Sequence, residues 1–375
     1  GTIISGQYGY RTGVTNVGDV LPHATTSLFE RLTADSPDYA QAFFGKYHVG
    51  GGSIDPAPGV AYPPAQQVLQ HIRDTGITTF RGVLAGAVAD YFNWVTYDIN
   101  GPNIANNTYA TTALTDYAID YIHQHESANP EKPWFVYQAY NAPHAANGGN
   151  SPYQVPPANL HSVDLSAVGN PAVGALATNI PLYKANIQAL DTEIGRLLEE
   201  VDLTKTTVIF VGDNGVPPPV TDAGQKLRGS KGSVYEGGVR VPLIVAGAGV
   251  TRRGREDNLF VTTDIYATVL DLAGVSASQV NDSYSLKPLL GSEAATSGRT
   301  HNFSESGKNA NHQYGIRDSR FKLLKNSTGW ALYDLGADPL EANNLYANAA
   351  YAAARASLEN ELATLKAGAA APFFQ

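Results

Sequence analysis

The run Thr207-Val208-Ile209-Phe210-Val211 constrains this chain more than any other stretch, because β-branched and apolar residues follow one another without alternation and then stop at Gly212-Asp213-Asn214-Gly215. Such a run reads as an interior strand of a parallel sheet, covered on both faces. Open α/β sheets bind ligands outside the carboxyl ends of their strands, where Asp213 and Asn214 stand. An acid and an amide offer oxygen donors, which suit a hard cation such as Ca²⁺ or Mg²⁺. Further on, Leu227-Arg228-Gly229-Ser230-Lys231-Gly232 supplies in Lys231 a compact positive charge suited to an anionic oxygen. Taken singly, Asp213-Asn214-Gly215 also fits a turn in which Asp213 caps the next element.

Elsewhere the periodicity predicts alternating strands and helices. A helix is expected over 26–32, with Leu28, Phe29 and Leu32 on its apolar face, and a short strand over 40–44 leading into Gly45-Lys46-Tyr47-His48-Val49-Gly50. Side chains two apart on a strand share a face, so Lys46 and His48 are expected to reach one pocket. An amphipathic helix over 109–124 precedes a strand over 134–139, whose carboxyl end carries Asn141-Ala142-Pro143-His144. The stretch 145–179, rich in Gly, Pro, Asn and Ala, reads as an irregular excursion. A long helix over 181–201, a buried strand over 239–246 and a helix over 263–273 follow. From about Thr300 the texture changes to short strands over 314–317, 321–324 and 331–333, then a terminal helix over 347–367. The fold class is α/β: a mainly parallel sheet flanked by helices, with a small C-terminal antiparallel sheet plus helix. Domains are expected at 1–295 and 296–375.

Composition narrows the function. A formal net charge of −9 argues against nucleic acid and anionic membrane as partners, though an acidic protein can hold a local positive pocket. No apolar stretch approaches the roughly 18–20 residues that a membrane-spanning helix needs. With no Cys there are no internal disulfides, and the redox compartment cannot be read. The oligomeric state is left open.

Further motifs join these in order along the chain: Ser5-Gly6-Gln7-Tyr8-Gly9-Tyr10-Arg11-Thr12-Gly13-Val14, Tyr235-Glu236-Gly237-Gly238-Val239-Arg240-Val241-Pro242, and Leu332-Tyr333-Asp334-Leu335 with Asp338-Pro339-Leu340-Glu341 and Asn343-Asn344-Leu345. Together with the Lys46, His144, Asp213 and Lys231 elements, they resemble the sulfatases of the alkaline phosphatase superfamily. The resemblance implies an alkaline-phosphatase-like sheet and a sulfuric ester hydrolase acting on an aryl or carbohydrate sulfate, periplasmic or secreted. It also implies a formylglycine nucleophile from a C/S-x-P-S/T-R motif, which would end immediately before Gly1, and a pair of metal-binding aspartates further upstream. An N-terminal segment beyond the present sequence is therefore expected. By the same resemblance Asp213 and Asn214 are metal ligands, for Ca²⁺ or alternatively Mg²⁺, and Lys46, His48, His144 and Lys231 are catalytic. Their charged tips are expected to surround one sulfate.

His301 is expected to contact substrate, and Glu236 with Arg240 to serve an ion pair that holds the Lys231 loop. Tyr91, Phe92, Trp94 and Tyr97 are expected to pack rather than to form a sugar platform. Two other readings stand beside the sulfatase: a phosphomonoester or phosphodiester hydrolase of the same superfamily, and a catalytically silent relative that binds sulfated glycans.

Overall fold

The computed structural model describes residues 1–52, 55, 58–59, 65–146, 153–169, 176–221, 227–307 and 311–367. Contacts divide the chain into two units, Gly1–Asn16 with Thr204–Gln375, and Val17–Leu203. This division falls elsewhere than the junction at 295 expected from the change of texture. In the first unit, the opening residues form two single turns, α1 (Thr2–Ser5) and α2 (Gly9–Thr12).

The unit Val17–Leu203 opens on α3 (Leu28–Asp35). Its start is set by Ser27, whose hydroxyl accepts the Glu30 N–H while the Glu30 carboxylate accepts the Ser27 N–H, a reciprocal cap that contributes roughly 1 kcal/mol. There follow β1 (Ala40–Lys46), α4 (Ala65–Asp74), β2 (Phe80–Val83), β3 (Trp94–Asp98), β4 (Ile104–Asn106), α5 (Ala110–Ala128), β5 (Trp134–Ala139) and α6 (Leu176–Glu199). The sheet runs β4-β3-β2-β1-β5. It is mixed: β1 pairs in parallel with β2 and β5, whereas β3 pairs antiparallel with β2 and with β4.

Phe43 and Tyr137, partners across β1 and β5, stack with ring centroids 4.7 Å apart. On the other face Ala118 of α5 packs against Ala42 and Phe44. Tyr91 and Trp94 are buried with Leu114 and Ala189, as their apolar bulk favours, and the Trp94 indole N–H donates to Thr108 O. Within the expected excursion, residues 147–152 and 170–175 lie outside the described residues.

The other unit continues with β6 (Thr207–Val211), α7 (Glu236–Val239), β7 (Leu243–Gly247), α8 (Asp264–Leu272), β8 (Gln279–Val280), β9 (Ser283–Tyr284), β10 (Asn302–Ser306), β11 (Gln313–Arg317), β12 (Phe321–Asn326), β13 (Gly329–Asp334) and α9 (Ala352–Ala367). Here the strand expected inside a parallel sheet is different: β6 pairs antiparallel with β7 as a two-stranded ribbon, and Phe210 and Ile244, directly opposed, are exposed. An apolar run specifies extended backbone, but its partner is chosen by residues far away in sequence. The strand expected over 239–246 also begins later. Residues 236–239 form α7, and β7 starts only after Pro242, which has no N–H to give to a ladder.

The C-terminal sheet is antiparallel, in the order β10-β11-β12-β13, one strand more than expected. Its apolar face, Ile316, Leu323 and Leu332, packs with Leu358 and Leu362 of α9. Tyr8 and Tyr10 meet Phe303 of β10 edge-on, at 5.1 and 5.5 Å between ring centroids. Among the described residues no helix is long and apolar enough to cross a membrane.

Candidate active site

Lys46 is the last residue of β1 and lies opposite Val83. The chain then leaves extended geometry, because His48 adopts φ 58°, so the two-residue alternation expected to align Lys46 with His48 does not reach His48. What holds the loop instead is β2 and its continuation: Tyr47 N–H donates to Val83 O at 3.0 Å and His48 N–H to Leu84 O at 3.1 Å. Between the two candidates, Tyr47 is buried with its hydroxyl 2.8 Å from His71 Nδ1, and His71 Nε2 lies 2.7 Å from Leu21 O. A carbonyl only accepts, so Nε2 carries the proton and Nδ1 accepts from Tyr47. Burial lowers the His71 pKa, which favours this neutral form.

Asp55 accepts the N–H groups of Leu84 and Ala85 at 2.6 and 3.2 Å, and burial pushes its carboxyl up to about 7 despite those two donors. A Cβ at Gly86 would stand 2.4 Å from His48 Cε1, so the ring can occupy its place only beside a residue without a side chain. Neither Asp55 nor His71 was found from sequence, since each acts through backbone or through Tyr47 rather than through a recognisable motif.

His144 follows the cis Ala142–Pro143 bond, with its N–H donating to Asn141 O at 2.9 Å. Its Nδ1 is 2.8 Å from Ala145 O and so carries a proton, which makes Nε2 the nitrogen with the basic lone pair. The Tyr91 hydroxyl donates to the carbonyl of His144 at 2.8 Å.

In the other unit, the end of β6 is fixed by backbone. Gly212 N–H donates to Pro242 O at 3.1 Å, Gly215 N–H to Gly238 O at 2.9 Å, Lys231 N–H to Val216 O at 2.8 Å and Gly237 N–H to Arg228 O at 2.7 Å. The segments that carry Asp213, Asn214 and Lys231 are thus joined in one backbone assembly. Asp213 is exposed and Asn214 half-buried; the Asn214 amide N–H donates to Gly215 O at 3.1 Å, which leaves its oxygen as the atom for a cation. A carboxylate and an amide oxygen fit a hard cation. Among the described residues no group of three or more His, Cys, Asp or Glu could hold a metal, so the pair would be only part of a ligand set.

Glu236, at the start of α7, does enter an ion pair, but with partners distant in sequence. Lys322 Nζ lies 2.8 Å from its Oε1, and Arg317 lies 3.5 Å from Oε2. Burial pushes the Glu236 carboxyl up, yet Lys322, Arg317 and Arg240 together outweigh it and hold the group below the usual range. Glu341, 3.0 Å from the same Nζ, stays above its usual range because burial dominates. His301 stands against the C-terminal helix, Nδ1 3.0 Å from Thr300 Oγ1 and 3.8 Å from Glu361 of α9. Lys46, His48 and His144 therefore belong to one unit, and Asp213, Asn214, Lys231 and His301 to the other.

The fold is α/β, and a carboxylate and an amide stand at the end of a strand whose backbone is locked to a lysine-bearing loop. Residues 1–275 match the Sulfatase family, and residues 229–368 match the family described as N-sulphoglucosamine sulphohydrolase, C-terminal; the chain belongs to the sulfatase family. Arylsulfatase K of Gallus gallus is 29% identical over 280 residues, covering 62% of this chain and 51% of that protein. The uncharacterized sulfatase YdeN of Escherichia coli K12 is 26% identical over 293 residues, covering 73% and 48%. The N-acetylglucosamine-6-O-sulfatase of Bacteroides thetaiotaomicron is 30% identical over 185 residues, covering 45% and 32%. The chain spans about half the length of the first two of these relatives and about a third of the last.

Among solved structures, a protein in complex with its substrate D-glucosamine-2-N,6-O-disulfate superposes with a TM-score of 0.71 at 21% identity, over 97% of this chain and 86% of that one. Another, in complex with k-i-k-neocarrahexaose, gives 0.70 at 19%, over 97% and 80%. The alkaline-phosphatase-like fold is the one expected.

Proposed function

We propose that this protein hydrolyses a sulfate ester of a carbohydrate or aryl alcohol. The observation that supports this reading is the backbone lock between the Asp213-Asn214-Gly215 strand end and the loop of Lys231; Asp213 and Asn214 carry hard oxygen donors, and Lys231 a cation suited to a sulfuryl oxygen. Similarity to an N-acetylglucosamine-6-O-sulfatase, and a fold shared with a protein whose substrate is a glucosamine disulfate, favour a sulfated sugar.

In this reading Asp213 and Asn214 hold Ca²⁺, or Mg²⁺, which when bound would add positive charge against the sulfuryl oxygens. Lys231 offers positive charge to a sulfuryl oxygen and Lys46 is a further catalytic cation; His144 gives a proton to the leaving oxygen from Nε2 once it is the doubly protonated imidazolium. His48 would orient the hydroxyl of a formylglycine nucleophile, and His301 contacts the sugar. A periplasmic or secreted site of action goes with this reading. Sulfate release from N-acetylglucosamine 6-sulfate and from 4-methylumbelliferyl sulfate by the full-length protein tests it. Turnover of the corresponding phosphate esters alone would favour the phosphatase reading, and saturable binding without turnover the silent glycan binder.

A further inference from the structure

We infer that Lys322 is a positioning residue for the Asp213–Lys231 assembly, the buried cation that ties the loop carrying Lys231 to the C-terminal sheet. Its functional meaning rests on the sulfatase reading above, whereas the tie itself does not.

Lys322 sits on β12 with 2% of its side chain exposed, and its ammonium serves two carboxylates that are nearly as buried, Glu236 at 4% and Glu341 at 0%. Glu341 in turn accepts the backbone N–H of Glu236 through Oε2 at 2.7 Å. It holds φ 55°, a conformation rare for a residue with a side chain. Arg317 lies 3.5 Å from the second oxygen of Glu236, and Arg228 donates to Glu341 O at 2.6 Å while its guanidinium sits 4.2 Å from the Tyr235 ring centre. Two buried carboxylates are thus balanced by one ammonium and one guanidinium. Without the ammonium they would face each other in a poorly solvated space, and charge buried without a partner is costly enough to open the structure locally.

The element that would move is the one next to Glu236. Gly237 and Gly238 follow it directly; Gly237 bonds to Arg228 O, and Gly238 O receives the Gly215 N–H. Gly215 and Lys231 flank the same crossing, through Gly215 N–H and the Lys231 N–H to Val216 O. β11 to β13, by contrast, are held by their own ladder and by α9, so the cluster governs the loop more than the sheet.

Amide hydrogen exchange on the folded full-length protein tests this. In Lys322→Met the amides of Gly215, Lys231 and Gly237 should exchange at least about 10-fold faster, while those of β11 to β13 change less than about 3-fold. Per folded molecule, kcat on an aryl sulfate should fall about 10-fold or more with KM nearly unchanged, and Lys322→Arg should restore most of it. If Lys322→Met does not fold, Glu341→Gln, which keeps the side-chain shape and the Lys322–Glu236 pair, should give the same local pattern at about 3-fold or more. Faster exchange spread evenly over sheet and loop, or an unaltered loop, would overturn the inference. If the protein without any substitution released no sulfate from any ester, the sulfatase reading would fall, and the exchange pattern would still decide the role of Lys322.

Discussion

A Cβ placed on Gly215 would stand 1.9 Å from the carbonyl oxygen of Gly237, so the end of β6 and the start of α7 approach as closely as two backbones can. Gly215→Ala must push these segments apart and take Asn214 with them. We expect a loss of about 1–3 kcal/mol in urea unfolding, together with weakened cation binding. The contrast is Gly195 on α6, where an added Cβ meets nothing within 4 Å. Gly195→Ala should stabilise by roughly 0.5–1 kcal/mol, because alanine loses less conformational freedom in a helix.

Arg299 and Asp264 form a pair with side chains 3% and 0% exposed, and Arg299 also donates to Tyr8 Oη at 3.0 Å and to Asp282 O at 2.6 Å. Burial raises the Asp264 pKa even with the guanidinium beside it. Arg299→Ala leaves that carboxylate buried without a counter-ion, with only the N–H groups of Tyr284 and Val261 as donors, and should cost on the order of 3–5 kcal/mol by denaturant titration. Arg255→Ala should be silent in the same assay, since its pair with Asp257 is 78% exposed on both sides.

Asp55 predicts a pH dependence. Burial pushes its carboxyl from the ordinary 3.8 up to about 7 in the folded protein, so the folded state holds a proton that the unfolded chain releases. Its contribution is fully present below about pH 4 and is lost as pH rises through about 7, with a span of roughly 4 kcal/mol. Unfolding free energies of the native protein and of Asp55→Asn, taken from pH 4 to 8, should diverge, the native protein losing stability relative to the variant. Parallel curves would assign the carboxyl an ordinary pKa.

Much of the architecture is local in origin, and to that extent it was legible. The helices α5 and α8, the strand β5 and the three strands β11 to β13 follow from apolar spacing and from nearby turns. Pairing partners are not local. Nothing within Thr207-Val208-Ile209-Phe210-Val211 announces that β6 will meet β7 in antiparallel fashion, with Phe210 left exposed opposite Ile244. β10 escaped because Asn302-Phe303-Ser304-Glu305-Ser306 carries one apolar residue and so gives no alternation to read. Among the candidates, Asp213, Asn214 and Lys231 came from motif order, and the fold joins their segments through backbone. The pairing of Lys322 and Glu341 with Glu236 could not be found that way, since Glu236 lies 86 and 105 residues from them. His48 shows the limit of strand logic: one residue at φ 58° cancels the alternation that would have placed its side chain.

The cation reading makes its own demand. Adding Ca²⁺ to chelator-treated full-length protein should raise the melting temperature, and Asp213→Ala should remove most of that rise. A rise of equal size in Asp213→Ala would assign the cation to other ligands.

Sulfate release from an aryl sulfate by the full-length protein and its Lys231→Ala variant tests the central claim most directly. If Lys231 stabilises charge that develops on the sulfuryl oxygens, kcat falls by at least about 10²-fold while the fold, checked by circular dichroism, is kept. An unchanged kcat, with or without a higher KM, would contradict the account and leave Lys231 as no more than a substrate-binding or surface lysine.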